Sequence, residues 1–154
     1  MTAAGITLTR HDWERAAGPE FLTQVPLFAK LRPRRMRKVA RDVELAAFLP
    51  GDVVLDDGAG ADFFYVVLHG EAELRDEPEV RRIRPGEYFG ERGLLDETNR
   101  SVTVVATNEL RLLRLPGSVF LRLLRQNSDI AYAVLKHVGD QVRGPDPRLI
   151  SRAA

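Results

Sequence analysis

"AAFLPGDVVLDDGAGADFFYVVLHGEAELRDEPEVRRIRPGEYFGE", residues Ala46–Glu91, decides the fold. Turn pairs at Pro50-Gly51 and Pro85-Gly86 punctuate it, with loop glycines at Gly58, Gly60 and Gly70. Short apolar runs lie between these breaks, the longest being "FFYVVL" (Phe63–Leu68). Such spacing reads as strands joined by tight turns. Downstream, "SVTVVATNELRLLRL" (Ser101–Leu115) adds two more strands about a turn at Asn108. The runs are too short and the connections too tight for parallel crossovers. About eight short strands with frequent glycine turns predict an all-β sandwich, jelly roll or barrel.

Helical patterns flank this region. "FLTQVPLFAKL" (Phe21–Leu31) has apolar residues at short mixed spacings around Pro26, which fits a helical turn, a break and a second turn. "PRRMRKVARDV" (Pro33–Val43) places Met36, Val39, Ala40 and Val43 on one helical face, with Pro33 at its N-terminal end. Its other face is basic: Arg34, Arg35, Arg37, Lys38 and Arg41. It reads as a solvated surface, with docking of an acidic partner as the alternative. After Pro116, Ser118 is a candidate cap for a helix with Val119, Phe120, Leu123 and Leu124 inward. Ser128 is the candidate cap of a last helix with Ile130, Val134, Leu135 and Val138 as its apolar face, stopped at Gly144–Pro147. Residues 1–20 show no period, and Trp13 is their one large apolar anchor.

The 154 residues suit one domain. With 44% hydrophobic and 29% charged residues the chain falls in the soluble globular class and outside the disordered one. No run is long enough to span a membrane, and no signal peptide is visible. Zero cysteines exclude disulfides, thiolate catalysis and cysteine metal sites, and fit the cytoplasm. A net charge of +1 argues against a strongly basic nucleic-acid binder. His11, His69 and His137 have none of the spacings of metal or nucleophilic motifs, so neither catalytic nor metal residues are expected and the chain is not read as an enzyme.

One stretch carries chemistry: "GEYFGERGLLDETNRSV" (Gly86–Val102). Gly90, lacking a Cβ, lets the backbone approach a ligand. A short helix beginning near Glu91 leaves N–H groups through Leu94 available to an anion. The loop that follows delivers Arg100 and Ser101, and a guanidinium donates two parallel hydrogen bonds to a phosphate. A carboxylate beside a phosphate repels it unless the ligand also offers hydroxyl donors, as a ribose does. The group then reads as phosphate plus sugar. The plainer reading is a helix-starting Glu91 and a surface pair of Arg100 with Asp96 or Glu97.

"FGERGLLDETNRSVTV" (Phe89–Val104) resembles the phosphate-binding cassette of cyclic nucleotide-binding domains, the family of catabolite activator proteins, kinase regulatory subunits and cyclic-nucleotide-gated channels. "FLTQVPLFAKL", "FLPGDVVLDDG", "FFYVVLHGEAEL" and "SVFLRLLRQNSDIAYAVLKHV" resemble its helical entry, first strands, and B and C helices, in that order. The resemblance implies a mainly β fold: an eight-stranded antiparallel β-roll (jelly roll or double-stranded β-helix) with N-terminal helices and C-terminal B and short C helices. It covers about residues 21–143, with 1–20 as an N-terminal segment and 144–154 as a tail.

By this resemblance Glu91 contacts the ribose 2′-hydroxyl. Arg100 contacts the cyclic phosphate, helped by Ser101 and by backbone N–H groups around Gly90, Gly93 and Leu94. Ligand binding draws the cassette inward, Leu94 repacks against Phe120, and the C-terminal helix closes over the base. The implied ligand is cAMP, with cGMP as the alternative, since adenine tolerates an apolar pocket wall. The sequence departs from the family pattern at Arg92 (usually apolar), Gly93 (usually alanine), Asn99 (often proline) and Ala61 (often glycine). The last helix breaks at Gly144-Pro145, leaving Arg143, Arg148, Leu149 or Ile150 as candidates to cap the base, and no helix-turn-helix follows. The expected protein is a cytoplasmic sensor acting through an effector protein or as a homodimer, without DNA or membrane contact. The competing expectation is a degenerate member that has kept the roll, lost the ligand and serves as an interaction or dimerisation module.

Overall fold

Strand β4 (Phe63–His69) shows why the longest apolar run is a strand. Its alternate residues feed two separate cores: Phe64 and Val66 face one, Tyr65 and Val67 the other. A strand covered on both faces has no polar side, so it reads as a continuous apolar run. Strand β9 (Leu110–Pro116), its antiparallel neighbour, does the same, with Leu113 and Leu115 on one side and Leu110 and Leu112 on the other.

The computed structural model describes residues 6–8, 22–23, 25–56, 63–76, 78–95 and 102–142, with 6–8, 141 and 142 described by their backbone alone. The remaining strands are β1 (Ile6–Leu8), β2 (Glu44–Phe48), β3 (Val53–Leu55), β5 (Ala72–Asp76), β6 (Glu79–Ile83), β7 (Tyr88–Phe89) and β8 (Thr103–Ala106). They form a five-stranded sheet, β1-β2-β9-β4-β7, and a four-stranded sheet, β3-β8-β5-β6. Every described pairing is antiparallel. One core lies between the sheets, around Phe48, Tyr65, Phe89 and Ile83. The other lies between the five-stranded sheet and the helices, around Phe28, Phe64, Leu113 and Phe120. Strands β2–β9 make the eight-stranded roll that was expected. Strand β1, from a stretch without period, extends it by pairing Ile6–Leu8 with Leu45–Ala47. Three residues are too few to show an alternation.

Among the described residues four helices flank the roll: α1 (Pro33–Asp42), α2 (Glu91–Leu95), α3 (Gly117–Gln126) and α4 (Ser128–Val142). Pro33 opens α1, where its missing N–H costs nothing. Met36, Val39 and Ala40 are buried under α1, and its basic face is exposed. Upstream of α1, Val25 and Phe28 anchor two turns closed by the Val25 N–H to the Leu22 carbonyl at 3.3 Å and the Ala29 N–H to the Val25 carbonyl at 3.0 Å.

Both expected serine caps move. Helix α3 starts at Gly117 after Pro116 and has no side-chain cap, so Ser118 is already inside its first turn. At the α3–α4 junction Asn127 replaces Ser128 as the residue in between. Its carbonyl accepts from the Ala131 N–H at 3.0 Å, and its side-chain amide donates to the Leu123 carbonyl at 2.9 Å. One side chain thus satisfies an orphan carbonyl of α3 while its backbone starts α4. On α4, Ile130 and Val134 are buried and Val138 packs on the same core, but Leu135 is exposed beside Tyr132. A spacing of four puts 130, 134 and 138 on one stripe and leaves 135 off it.

The turn at Asn108 joins β8 to β9, and its Oδ1 accepts from the Glu71 N–H at 2.8 Å. Gly70 faces this turn with φ +87°, and a Cβ there would lie 2.1 Å from the Glu109 carbonyl oxygen. Only glycine fits. Trp13, Gly58, Gly60, Ala61 and residues 143–154 lie outside the described residues.

Candidate functional site

The turn at Pro85-Gly86 hands the chain from β6 to β7. The Gly86 N–H donates to the Val67 carbonyl at 2.8 Å, and the Glu87 side chain accepts from the Arg84 N–H at 3.0 Å. Phe89 then stacks on Tyr65, ring centroids 4.9 Å apart, which pins the end of β7 inside the roll. Gly90 follows with φ +94°. A Cβ on it would sit 2.8 Å from the Phe63 carbonyl oxygen and 3.3 Å from Tyr65. The fold itself therefore requires glycine there, whatever approaches from outside.

Glu91 begins α2 and is only 2% exposed. It is the single buried charged residue among those described. One carboxylate oxygen, Oε2, has no hydrogen-bond partner. The other, Oε1, lies 3.7 Å from Nε2 of His137 on α4. Burial pushes the Glu91 carboxyl up to about 7, against the pull of a backbone hydrogen bond and of Arg81 and Arg92. Tyr88 is pushed up too, first by burial and then by the Glu91 charge. His137 is pushed down, by burial and then by Arg81, with Asp140 and Glu87 acting the other way. Its ring packs on Tyr88 at 4.8 Å between centroids. A buried polar atom without a partner costs ~1–3 kcal/mol. Glu91 is held in that condition by the roll beneath it and α4 above it.

Its neighbour Arg92 has an internal ion pair. The guanidinium Nη1 donates to Asp76 Oδ2 on β5 at 2.7 Å, with both side chains mostly buried, although its Nε is left without a partner. The departure from an apolar residue at this position is thus matched by a carboxylate sixteen residues upstream. Gly93 is buried, and Leu94 is half-buried against the helix-side core that contains Phe120. Phe120 stacks on Phe64 at 4.2 Å and 10°. The structure therefore gathers Gly90, Glu91, Gly93 and Leu94 at one corner of the roll. Arg100 and Ser101, with Asn99, Asp96 and Glu97, lie outside the described residues. An isolated histidine carries no motif, so the sequence gives no sign of His137; only α4 packing on α2 brings it beside Glu91. Among the described residues no cluster of His, Cys, Asp and Glu could hold a metal ion. Nor is any described helix long and apolar enough to cross a membrane.

The geometry defines a class of protein: a β-roll with a glycine-glutamate turn under a C-terminal helix. The sequence profile of the cyclic nucleotide-binding domain family matches residues 45–127, and the chain belongs to that family. It is 37% identical over 113 residues to the cAMP-dependent protein kinase regulatory subunit of Aspergillus fumigatus, covering 71% of this chain and 27% of that protein. Among solved structures it is similar to cAMP-bound PfPKA-R, with a TM-score of 0.71 and 25% identity over 82% of this chain and 45% of the other. It is also similar to the catabolite activator protein of Thermus thermophilus, with a TM-score of 0.68 and 27% identity over 83% and 63%. The chain spans about a quarter to a third of the length of the curated relatives it matches.

Proposed function

We propose that this chain is a cyclic-nucleotide sensor module, with cAMP as its ligand and cGMP as the alternative, signalling through movement of its C-terminal helices. The observation that carries the reading is Glu91: a fully buried carboxylate with an unpartnered oxygen, at the family's ribose-binding position. A hydroxyl donor would satisfy that oxygen, and a cyclic nucleotide offers one beside its phosphate. Gly90, Gly93 and Leu94 frame the turn with their backbone, and Arg100 with Ser101 would take the phosphate. Residues 21–143 form the module, 1–20 an N-terminal segment and 144–154 a tail. Its relatives are named regulatory subunits of a kinase, which supports a non-enzymatic role; the cytoplasm is the location proposed with it. Its partner would be an effector protein or a second copy of this chain, with neither DNA nor membrane involved.

The test is calorimetric titration of cAMP and then cGMP into nucleotide-stripped protein. Arg100→Ala should weaken binding roughly tenfold to a hundredfold, or ~1.5–3 kcal/mol. Unchanged affinity in that variant would remove Arg100 from the site. The interaction-module reading draws on Tyr132 and Leu135, exposed together on α4. Absence of heat with both nucleotides would favour it.

A further inference from the structure

A carboxylate that must accept a hydrogen bond from a hydroxyl works best as the anion, yet the roll buries Glu91 where the neutral acid is favoured. Something has to take the proton when a ligand arrives. His137 Nε2, 3.7 Å from Glu91 Oε1, is the described side chain placed to do so. It comes from α4, the helix that packs over α2, and its ring is held against Tyr88.

We propose that His137 is a positioning residue of the nucleotide site: it receives the Glu91 proton on ligand binding, so that α4 seated on α2 lets Glu91 act as an anion below neutral pH. The inference rests on the reading of Glu91 as the hydroxyl-binding carboxylate. The step balances without outside reactants. The proton leaves Glu91 Oε1, His137 Nε2 accepts it, and the hydroxyl of the ligand donates to the freed carboxylate. At pH 6 the pair holds one proton before and after; at pH 8 Glu91 is already mostly the anion and no transfer is needed.

The charged and titratable groups around the pair bear on this transfer from every side. Arg81 on β6 and Arg92 on α2 favour the Glu91 anion. Arg81 also disfavours a charged His137, while Asp140 on α4 and Glu87 before β7 favour it. Tyr88 stays a neutral phenol between them. Burial, the largest influence on His137, also disfavours its imidazolium, so the transfer is driven by the hydrogen bond that the ligand's hydroxyl gives to the Glu91 anion.

The experiment is titration of cAMP into the full chain at pH 6 and pH 8, in buffers of different ionisation enthalpy, which counts protons released on binding. For the unaltered protein the observed heat should not depend on the buffer, and affinity should change little between the two pH values. His137→Gln keeps a polar group at the Nε2 position but cannot take a proton. It should release close to one proton at pH 6, bind about tenfold more weakly there, and recover at pH 8, since each pH unit below the Glu91 value is a factor of ten. Should that variant not fold, His137→Asn should behave alike. Buffer-independent heat and an unchanged affinity at pH 6 in either variant would overturn the proposal, as would release of a full proton by the unaltered protein. Glu91→Gln separates the two levels. If it binds like the unaltered chain, the reading of Glu91 itself fails. If it loses at least tenfold while the His137 variants are unaffected, only the inference about His137 fails.

Discussion

Strand β4 and helix α2 pack against one another and follow opposite rules. β4 is closed on itself: Phe64, Tyr65, Val66 and Val67 are all buried, each touching apolar neighbours in one of two cores. α2 buries a carboxylate with an unpartnered oxygen directly on that support. A chain can carry such an unfavourable group only where the surrounding packing over-determines its position. The difference separates residues that make the molecule stable from residues kept in spite of their cost. Within α2 the same contrast recurs one position apart, since Arg92 has its carboxylate at 2.7 Å and Glu91 has no comparable bond.

The largest break in the comparison comes from emptying the support. Phe64 is fully buried, stacks on Phe120 and has the Tyr88 ring tilted against it at 5.2 Å between centroids. Phe64→Ala should cost about 3–5 kcal/mol of stability, read by denaturant unfolding. A loss under about 1 kcal/mol would mean that the roll does not hold α2 as described.

Next in size, and opposite in sign, is the relief of α2. The Glu91 carboxyl rises from 4.5 in an open chain to about 7 in the fold. Between those values the folded state holds more protons than the unfolded one, so stability falls as pH rises. Glu91→Gln mimics the neutral acid. It should match the parent near pH 4.5 and exceed it by on the order of 3 kcal/mol at pH 8. Equal stability at pH 8 would show that the carboxylate is satisfied and that α2 is no exception to the rule obeyed by β4.

How far the sequence disclosed this contrast depends on the range of the interactions. β4 and its turns were legible because an apolar run and its flanking glycines are local signals. Gly90 was legible as a necessary glycine, but for a different immediate reason: its neighbour is the Phe63 carbonyl of β4, which no local pattern announces. Glu91 stood out only through its neighbours in the motif, and its burial follows from α4, more than thirty residues downstream. His137 and Asp76 were invisible as site residues, because each meets its partner only after the chain has folded back. The caps at Ser118 and Ser128 misled for a related reason. Serine is favoured at such positions, but Pro116 and Asn127 set the backbone one or two residues earlier.

The smallest expected effect sharpens the contrast inside α2. Asp76→Ala leaves the Arg92 guanidinium mostly buried and without that carboxylate, converting it towards the condition of Glu91. The loss should be about 1–2 kcal/mol, the cost of an unmade charge-assisted hydrogen bond, moderated because Asp76 is 28% exposed and water can reach the gap. Asp76→Asn, which keeps an acceptor for Nη1, should recover part of it. Nucleotide affinity gives the discriminating reading. If Arg92 serves only to fasten α2 to β5, both variants lose stability and bind cAMP within about twofold of the parent once folded. If affinity falls tenfold at unchanged fold content, then Arg92 is sharing its charge with the site, and the line between the fastened residue and the functional one has to be redrawn.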